Sequence, residues 1–119
     1  MHLSPILTYV ILKDIIEMHK SVLWQVRLSK SAEKQYVKLK KNGRTSPSIT
    51  DLIDFFVLEL KEKGPERVNW PNYSKLSKDI YHCHLKKGRP TYVACWKVFD
   101  SQLKHIEVYY VGTHEGAPY

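Results

Sequence analysis

The sequence has little of what marks disulfide-bonded, low-complexity or membrane-spanning proteins. Its two cysteines, Cys83 and Cys95, lie inside apolar runs and form no Cys-x-x-Cys pair, which argues against a disulfide framework and predicts a reducing, cytoplasmic location. Five glycines and six prolines are too few for a low-complexity chain. The apolar stretch from Ile6 to Leu12 is too short to cross a membrane and follows no basic segment of a signal peptide. We therefore expect a globular protein that does not act at a membrane.

The length, hydrophobic content and charge of the chain are those of one basic domain. Its 119 residues correspond to a single domain, and 43% of them are hydrophobic. The net charge of +7 is typical of proteins that bind nucleic acid or an acidic protein, although proteins without a charged partner can carry it too. Residues 1–20 stand apart as an N-terminal extension, either a helix or a segment that precedes a native start at Met18. Residues 21–119 form the predicted domain.

Hydrophobic periodicity divides this domain into strands and helices. Alternation over residues 22–28 predicts a strand, and helical spacing predicts two helices, one capped by Ser29 or Ser31 and one that opens at Ser46-Pro47-Ser48 and runs to Lys63. Further strands are predicted at residues 80–86, 91–99 and 103–111, after a loop over residues 66–78. In the last strand, Ile106, Val108 and Tyr110 are expected on one face. The order is β-α-α-β-β-β, an α+β fold in which two helices cover one face of a mostly antiparallel twisted sheet. The other face is left partly open to a ligand.

The first strand after the helices carries the clearest candidates for chemistry. Because side chains alternate along a strand, His82, His84 and Lys86 share one face, and Cys83 lies on the opposite face. Imidazoles can accept or donate a proton near neutral pH, and a lysine neutralises phosphate. The row therefore indicates either a site for a phosphate chain or a solvated polar strand face.

Other candidates lie in the turn and tail that follow and on the first helix. Lys87 and Arg89 lie in the turn, and His114 and Tyr119 lie in the tail, which is either functional or a frayed terminus. The end of the first predicted helix adds a basic cluster, which is either a solvated face or an extension of a phosphate-binding surface. It comprises Lys38, Lys40, Lys41 and Arg44.

A zinc site and a cysteine nucleophile are both disfavoured. The possible ligands match no zinc spacing, and strand alternation separates Cys83 from the two histidines beside it. Both cysteines are predicted to be buried, where nothing lowers the pKa of a thiol. The sequence therefore predicts neither a metal nor a cofactor.

Several of these segments together resemble a known family. The predicted element order, Tyr81-His-Cys-His-Leu, Lys87-Gly-Arg-Pro, Tyr92-Val-Ala-Cys-Trp-Lys-Val and Val111-Gly-Thr-His-Glu are similar to the RelE/ParE superfamily of bacterial toxins, and more narrowly to RelE-type translational repressors. The resemblance spans residues 23–119. It implies a toxin of a toxin–antitoxin system, an endoribonuclease that cuts mRNA on the ribosome and is neutralised by a cognate antitoxin protein.

The resemblance also implies roles for individual residues. His82 and His84 stand where the RelE pattern has alternating lysines, and Arg89 is the candidate for an arginine that contacts the scissile phosphate. His114 follows the Val-Gly of the last strand, where the family has a basic residue, and Tyr119 matches a C-terminal tyrosine. The exchange of lysine for histidine lowers the positive charge at pH 7 and favours imidazole acid–base chemistry.

The implied reaction uses the 2′-hydroxyl of the substrate as nucleophile and requires no metal. We expect His84 or His82 as the base and His114 as the acid, with Tyr119 as an alternative for either role, while Lys86 and Arg89 hold phosphate. Two alternatives stay open. One is a catalytically silent nucleic-acid or protein-binding module on the same fold. The other is a ParE-like inhibitor of DNA gyrase, against which the histidine-rich block argues.

Overall fold

A computed structural model describes residues 4–42 and 47–119 of the chain. The helices are α1 (Pro5–Val22), α2 (Lys30–Lys41) and α3 (Pro47–Lys63). The strands are β1 (Gln25–Leu28), β2 (Ser74–Ser77), β3 (Ile80–Lys86), β4 (Tyr92–Asp100) and β5 (His105–Thr113), and a short 3-10 helix, His114–Gly116, follows them. In the described part of the chain, no helix is apolar over a length that could cross a membrane.

The strands form one five-stranded sheet in the order β1-β5-β4-β3-β2. β1 pairs with β5 in parallel, and the other neighbours are antiparallel. The α+β class and the mostly antiparallel sheet are thus as predicted. Two details differ: β2 lies in the segment that was predicted to be a loop, and β1 begins at Gln25 because α1 continues to Val22.

Helices α1 and α2 differ in how far their apolar side chains are buried. Ser29 caps the N-terminus of α2, because its hydroxyl accepts a hydrogen bond from the Ala32 amide at 3.0 Å. The apolar residues Tyr36 and Leu39 of α2 pack on the core. In α1, by contrast, the apolar side chains from Ile6 to Ile15 are largely exposed. Among the side chains whose burial is described, those of α2 and α3 take part in the core, whereas those of α1 up to Ile15 do not.

The core lies between the sheet and the helices α2 and α3. Phe56 of α3 is buried against Trp96 of β4, with ring centroids 4.9 Å apart, and Trp70 meets Phe56 edge-on at 5.4 Å. Trp96 also stacks on Tyr81 at 5.7 Å. These aromatic contacts bury a large apolar area on one face of the sheet, which we call the helix-covered face. Trp70 and Trp96 are core residues, and the half-buried Trp24 packs against the same core.

A buried carboxylate holds the segment between α3 and β2 against this core. Glu59 of α3 accepts hydrogen bonds from Trp70 Nε1 at 2.9 Å and Asn69 Nδ2 at 2.8 Å, and it pairs with Arg67 at 3.3 Å. Burial alone would raise the pKa of Glu59, but these donors and the arginine charge hold it below its usual value. The segment that leads into β2 is therefore fixed by a fully partnered charge.

A bulge in β5 changes which face its last residues occupy. Cys95 pairs with Tyr110 and Trp96 with Val108, so Tyr109 is an additional residue on β5. Ile106 and Val108 lie on the helix-covered face as predicted, but Tyr110 packs with Cys95 on the opposite face, which corrects the expected alternation. The Val111 amide, beyond the end of β1, donates to Gln35 Oε1 of α2 at 3.0 Å. Beyond the bulge, the C-terminal tail lies on the second face of the sheet, which we call the open face.

Candidate functional site

Four aromatic side chains from distant parts of the chain meet on the open face. The rings of His82 and His84 lie 6.2 Å apart, and His114 lies 5.5 Å from His84. Tyr119 lies 4.6 Å from His82 and 5.9 Å from His114, measured between ring centroids. We call this group the imidazole–tyrosine cluster. It contains each residue that the sequence singled out for acid–base chemistry: His82, His84, His114 and Tyr119.

The tail reaches the open face because it is held at several points. The Thr113 hydroxyl accepts a hydrogen bond from the Gly116 amide and caps the 3-10 helix, and the His114 amide donates to the Thr91 carbonyl at 2.8 Å. The Tyr110 hydroxyl donates to the Thr113 carbonyl at 2.7 Å, and a Cβ at Gly116 would lie only 2.8 Å from that hydroxyl. Glycine thus permits the close approach, and the tail is anchored rather than frayed.

His82 is oriented by a residue that sequence reasoning missed. Its Nδ1 shares a 2.8 Å hydrogen bond with the hydroxyl of Ser74, which pairs with His82 across β2 and β3. Such a bond fixes which ring nitrogen carries the proton and which one faces the site. Ser74 lies in the segment that was predicted to be a loop, and nothing in its local sequence marks it as a partner of a histidine.

His84 occupies a different environment from its neighbour. Its Nδ1 is buried and has no hydrogen-bond partner within the described residues. Burial lowers the pKa of His84, and the positive charges of His114, His82 and Lys87 lower it further. The imidazole is therefore neutral near pH 7 and able to accept a proton.

The hydroxyl and thiol groups beside the cluster stay protonated. Burial raises the pKa of Tyr119, so its phenol is a hydrogen-bond donor rather than a base near neutral pH. Burial also raises the pKa of Cys95 to about 12, against a smaller opposite effect of its hydrogen bond with Tyr109. Cys83 is buried on the helix-covered face, and its pKa is raised by burial as well. Neither thiol has the character of a nucleophile.

A cleft of about 550 Å³ opens beside the cluster. Its walls include His84, His114 and Arg89, so the arginine of the turn faces the same space as two of the imidazoles. Thr91 and Thr113 line the same walls. Together these groups can bind an anion next to two groups that transfer protons.

The remaining basic candidates that the structure describes lie in two places. Lys86 and Lys87 are exposed at the end of β3 and in its turn, where the charge of Lys87 acts on His84. Lys38 and Lys41 lie in the last turn of α2 and line a separate hollow of about 400 Å³ in the helical layer. Arg44 lies outside the described residues. An extended phosphate-binding surface on α2 stays a prediction.

The donor set for a metal ion is limited. Within residues 4–42 and 47–119, no three His, Cys, Asp or Glu side chains are arranged to hold a metal. Cys83 points into the core, as alternation predicted, whereas Cys95 lies on the same face as His82 but is buried under the tail. The cluster therefore offers imidazole pairs rather than a tetrahedral ligand set.

Comparison with known proteins finds a solved structure of similar fold but no matching family. No family model matches the chain, and no curated protein matches it. Among solved structures, the fold is similar to that of a metal-bound toxin from Helicobacter pylori, with a TM-score of 0.56 and 20% sequence identity. The likeness covers 77% of this chain and 96% of that toxin. The chain thus has a toxin-like α+β fold.

Proposed function

We propose that this protein is the toxin of a type II toxin–antitoxin system, a RelE-like endoribonuclease that cleaves mRNA on the ribosome. The toxin-like fold supports the class, and the net charge of +7 suits an RNA substrate. The observation that carries the proposal is the imidazole–tyrosine cluster. Its rings come from β3 and from the tail, and they meet within 4.6 to 6.2 Å of their neighbours beside a cleft that Arg89 lines.

The first step is removal of the proton from the 2′-hydroxyl that attacks the adjacent phosphate. His84 is the preferred base because its lowered pKa keeps it neutral and ready to accept this proton. His82 is less suited, since its Nδ1 already shares a hydrogen bond with Ser74 and only Nε2 remains for the substrate. The geometry thus favours one of the two bases that the sequence left open.

The second requirement is a proton for the departing 5′-oxygen. His114 is exposed and lines the same cleft as His84, and the centroids of the two rings lie 5.5 Å apart. In the proposed reaction, His114 is the acid that supplies this proton and His84 is the base, and the phosphate lies in the cleft that both residues line. Tyr119, with its raised pKa, donates a hydrogen bond to a phosphate oxygen instead of acting as base.

Cations stabilise the charge that builds up on the phosphate. Arg89 lines the cleft, and its planar guanidinium suits two phosphate oxygens. Lys87 and Lys86 continue the positive charge along the turn, and the charge of Lys87 contributes to the lowered pKa of His84. The H. pylori toxin is described as metal-bound, but the ligand set here does not fit a metal, so no step is assigned to one.

The test is cleavage mapping of mRNA in a translating extract. His114→Ala and His114→Gln remove the acid, and each should slow cleavage by about 10²–10⁴-fold while the circular dichroism spectrum is unchanged. Lys63→Ala, which changes an exposed residue at the end of α3, serves as the control with wild-type activity.

Two results would count against this function. Unchanged cleavage by both His114 variants would mean that His114 is not the acid. RNA binding with a steep salt dependence and no scission by the wild type would instead support a catalytically silent binding module. Growth arrest on expression, relieved by His114→Ala and by a small co-encoded antitoxin, would separate a toxin from such a module.

A further inference from the structure

The opposite end of the open face carries a second group of aromatic and basic side chains. The Arg27 guanidinium carbon of β1 lies 4.3 Å from the centroid of the Phe99 ring of β4. The ring of His105, on β5, lies 5.2 Å from Phe99. Three neighbouring strands thus bring a cation and two rings together. We call this group, Arg27, Phe99 and His105, the Phe99 site.

A partly buried carboxylate organises the charges around this site. Glu107 of β5 pairs with Arg27 Nε at 3.0 Å and with Lys97 Nζ at 3.5 Å. The Glu107 side chain is 15% exposed, whereas those of Arg27 and Lys97 are 63% and 44% exposed. The carboxylate therefore lies beneath the two cations and fixes them, and an approaching ligand meets positive charge.

The site also offers a place for a flat ring. Phe99 is 43% exposed, so part of its ring is accessible to a ligand. Beside it lies a hollow of about 280 Å³, lined by Arg27, Phe99, His105 and the β1 residues Gln25 and Val26. An exposed aromatic ring next to a guanidinium is the arrangement on which bases of single-stranded nucleic acid stack.

The register of β3 and β4 gives the separation between the Phe99 site and the imidazole–tyrosine cluster. On β4, Cys95 pairs with His82 and Val93 pairs with His84, and Phe99 lies four and six residues farther along the strand. At a strand rise of about 3.3 Å per residue, Phe99 is roughly 13 Å along the strand from the level of His82 and roughly 20 Å from that of His84. Stacked nucleotides span these distances in roughly four to six steps of about 3.4 Å each.

We propose that the Phe99 site binds a base of the RNA strand a few nucleotides away from the bond that the cluster cleaves. The identity of the ligand rests on the proposed ribonuclease function, whereas the site itself is separate from the cluster. Phe99 stacks on the base, and Arg27 and Lys97 hold the phosphates on either side. The protein therefore binds a segment of single-stranded RNA along the open face, from the Phe99 site to the imidazole–tyrosine cluster.

The test compares RNA oligomers of different lengths. Uncleavable 2′-O-methyl oligomers of three, six and nine nucleotides are titrated against wild type and Phe99→Ala. Phe99→Ala should weaken binding of the nine-nucleotide oligomer by about 5- to 100-fold, which is the range for loss of one stacked base, and leave the three-nucleotide oligomer unaffected. Phe99→Trp, which keeps a stacking surface, should restore the affinity.

The control is Phe55→Ala, which removes an exposed phenyl ring from α3 in the helical layer, 54% exposed against 43% for Phe99. Equal affinity of wild type and Phe99→Ala for the longest oligomer would overturn the proposal, as would an equal loss in Phe55→Ala. Neither binding result requires cleavage. A wild type that binds in a length- and Phe99-dependent way but never cuts mRNA would retain the site and reject the ribonuclease.

Discussion

The two faces of the sheet differ although they are built from alternating residues of the same strands. On β3, Cys83 and Leu85 are buried under the helices, whereas His82 and His84 lie on the open face. On β4, Trp96 faces the helices, while Phe99 and Lys97 face away from them. Because successive side chains point to opposite faces, packing and chemistry are encoded at adjacent positions. Variants on the two faces should therefore separate stability from activity.

The largest expected effect comes from the helix-covered face. Trp96→Ala removes a fully buried ring that packs on Phe56 and Tyr81, and it removes the 3.0 Å hydrogen bond from Trp96 Nε1 to the Pro65 carbonyl. We expect a loss of about 3–5 kcal/mol in the free energy of unfolding. Urea denaturation measures it. His82→Ala, on the open face of the neighbouring strand, should cost less than about 1 kcal/mol. Equal losses of unfolding free energy in the two variants would contradict the expectation that the helix-covered face contributes more to stability than the open face.

The next effect concerns the charge buried on the helix-covered side. Glu59→Gln weakens the contacts to Arg67, Asn69 and Trp70 and should cost about 1–3 kcal/mol. Because the pKa of Glu59 is lowered in the folded protein, its stabilisation is present above the ordinary carboxyl value and is lost as the pH falls through the lowered value. The unfolding free energy measured against pH should therefore have a shallower acid limb in the variant. Glu62→Gln, an exposed change on the same helix, should keep the wild-type slope.

Much of the fold follows from periodicity in the sequence, and the exceptions have physical causes. Strict alternation predicts the bounds and faces of β3, and the apolar stripe predicts α3. β2 was missed because its four residues, Ser-Lys-Leu-Ser, carry no alternating pattern and pair only with β3. The face of Tyr110 was wrong because one additional residue, Tyr109, interrupts β5. Bulges depend on how two strands end and pair, which a single segment does not encode.

The candidate site was predictable to the extent that its residues form a local pattern. Alternation places His82 and His84 together, and the acid–base side chains of the tail, to which the family resemblance gave roles, added His114 and Tyr119. Ser74 was missed because β2 was not predicted, and the Phe99 site was missed because its contacts join strands that are distant in sequence. Such contacts arise from the strand order, and the order is a property of the whole sheet.

A smaller effect tests the electrostatics of the open face. Burial, His114, His82 and Lys87 lower the pKa of His84 below its ordinary value of 6.5. Lys87→Met removes one of the positive charges, so the pKa of His84 should rise toward that value, with burial still holding it lower. Imidazole NMR titration measures this shift. If His84 is the base, the acid limb of the cleavage rate should move to higher pH in the same variant. A pKa shift without a shift of the rate profile would assign the base to another residue.

The smallest expected effect concerns Ser74, a positioning residue that does not contact the substrate. Ser74→Ala removes the 2.8 Å hydrogen bond to His82 Nδ1. A hydrogen bond contributes about 0.5–1.5 kcal/mol, so cleavage should slow by roughly 2- to 12-fold. Nitrogen chemical shifts of His82 would show whether the proton moves between the two ring nitrogens, a change that lost packing alone does not produce. Ser74→Thr, which keeps the hydroxyl, should restore both the shifts and the rate. Unaltered shifts in Ser74→Ala would mean that the tail, through Tyr119, sets the state of His82, and the open face would then be organised by its C-terminal residues alone.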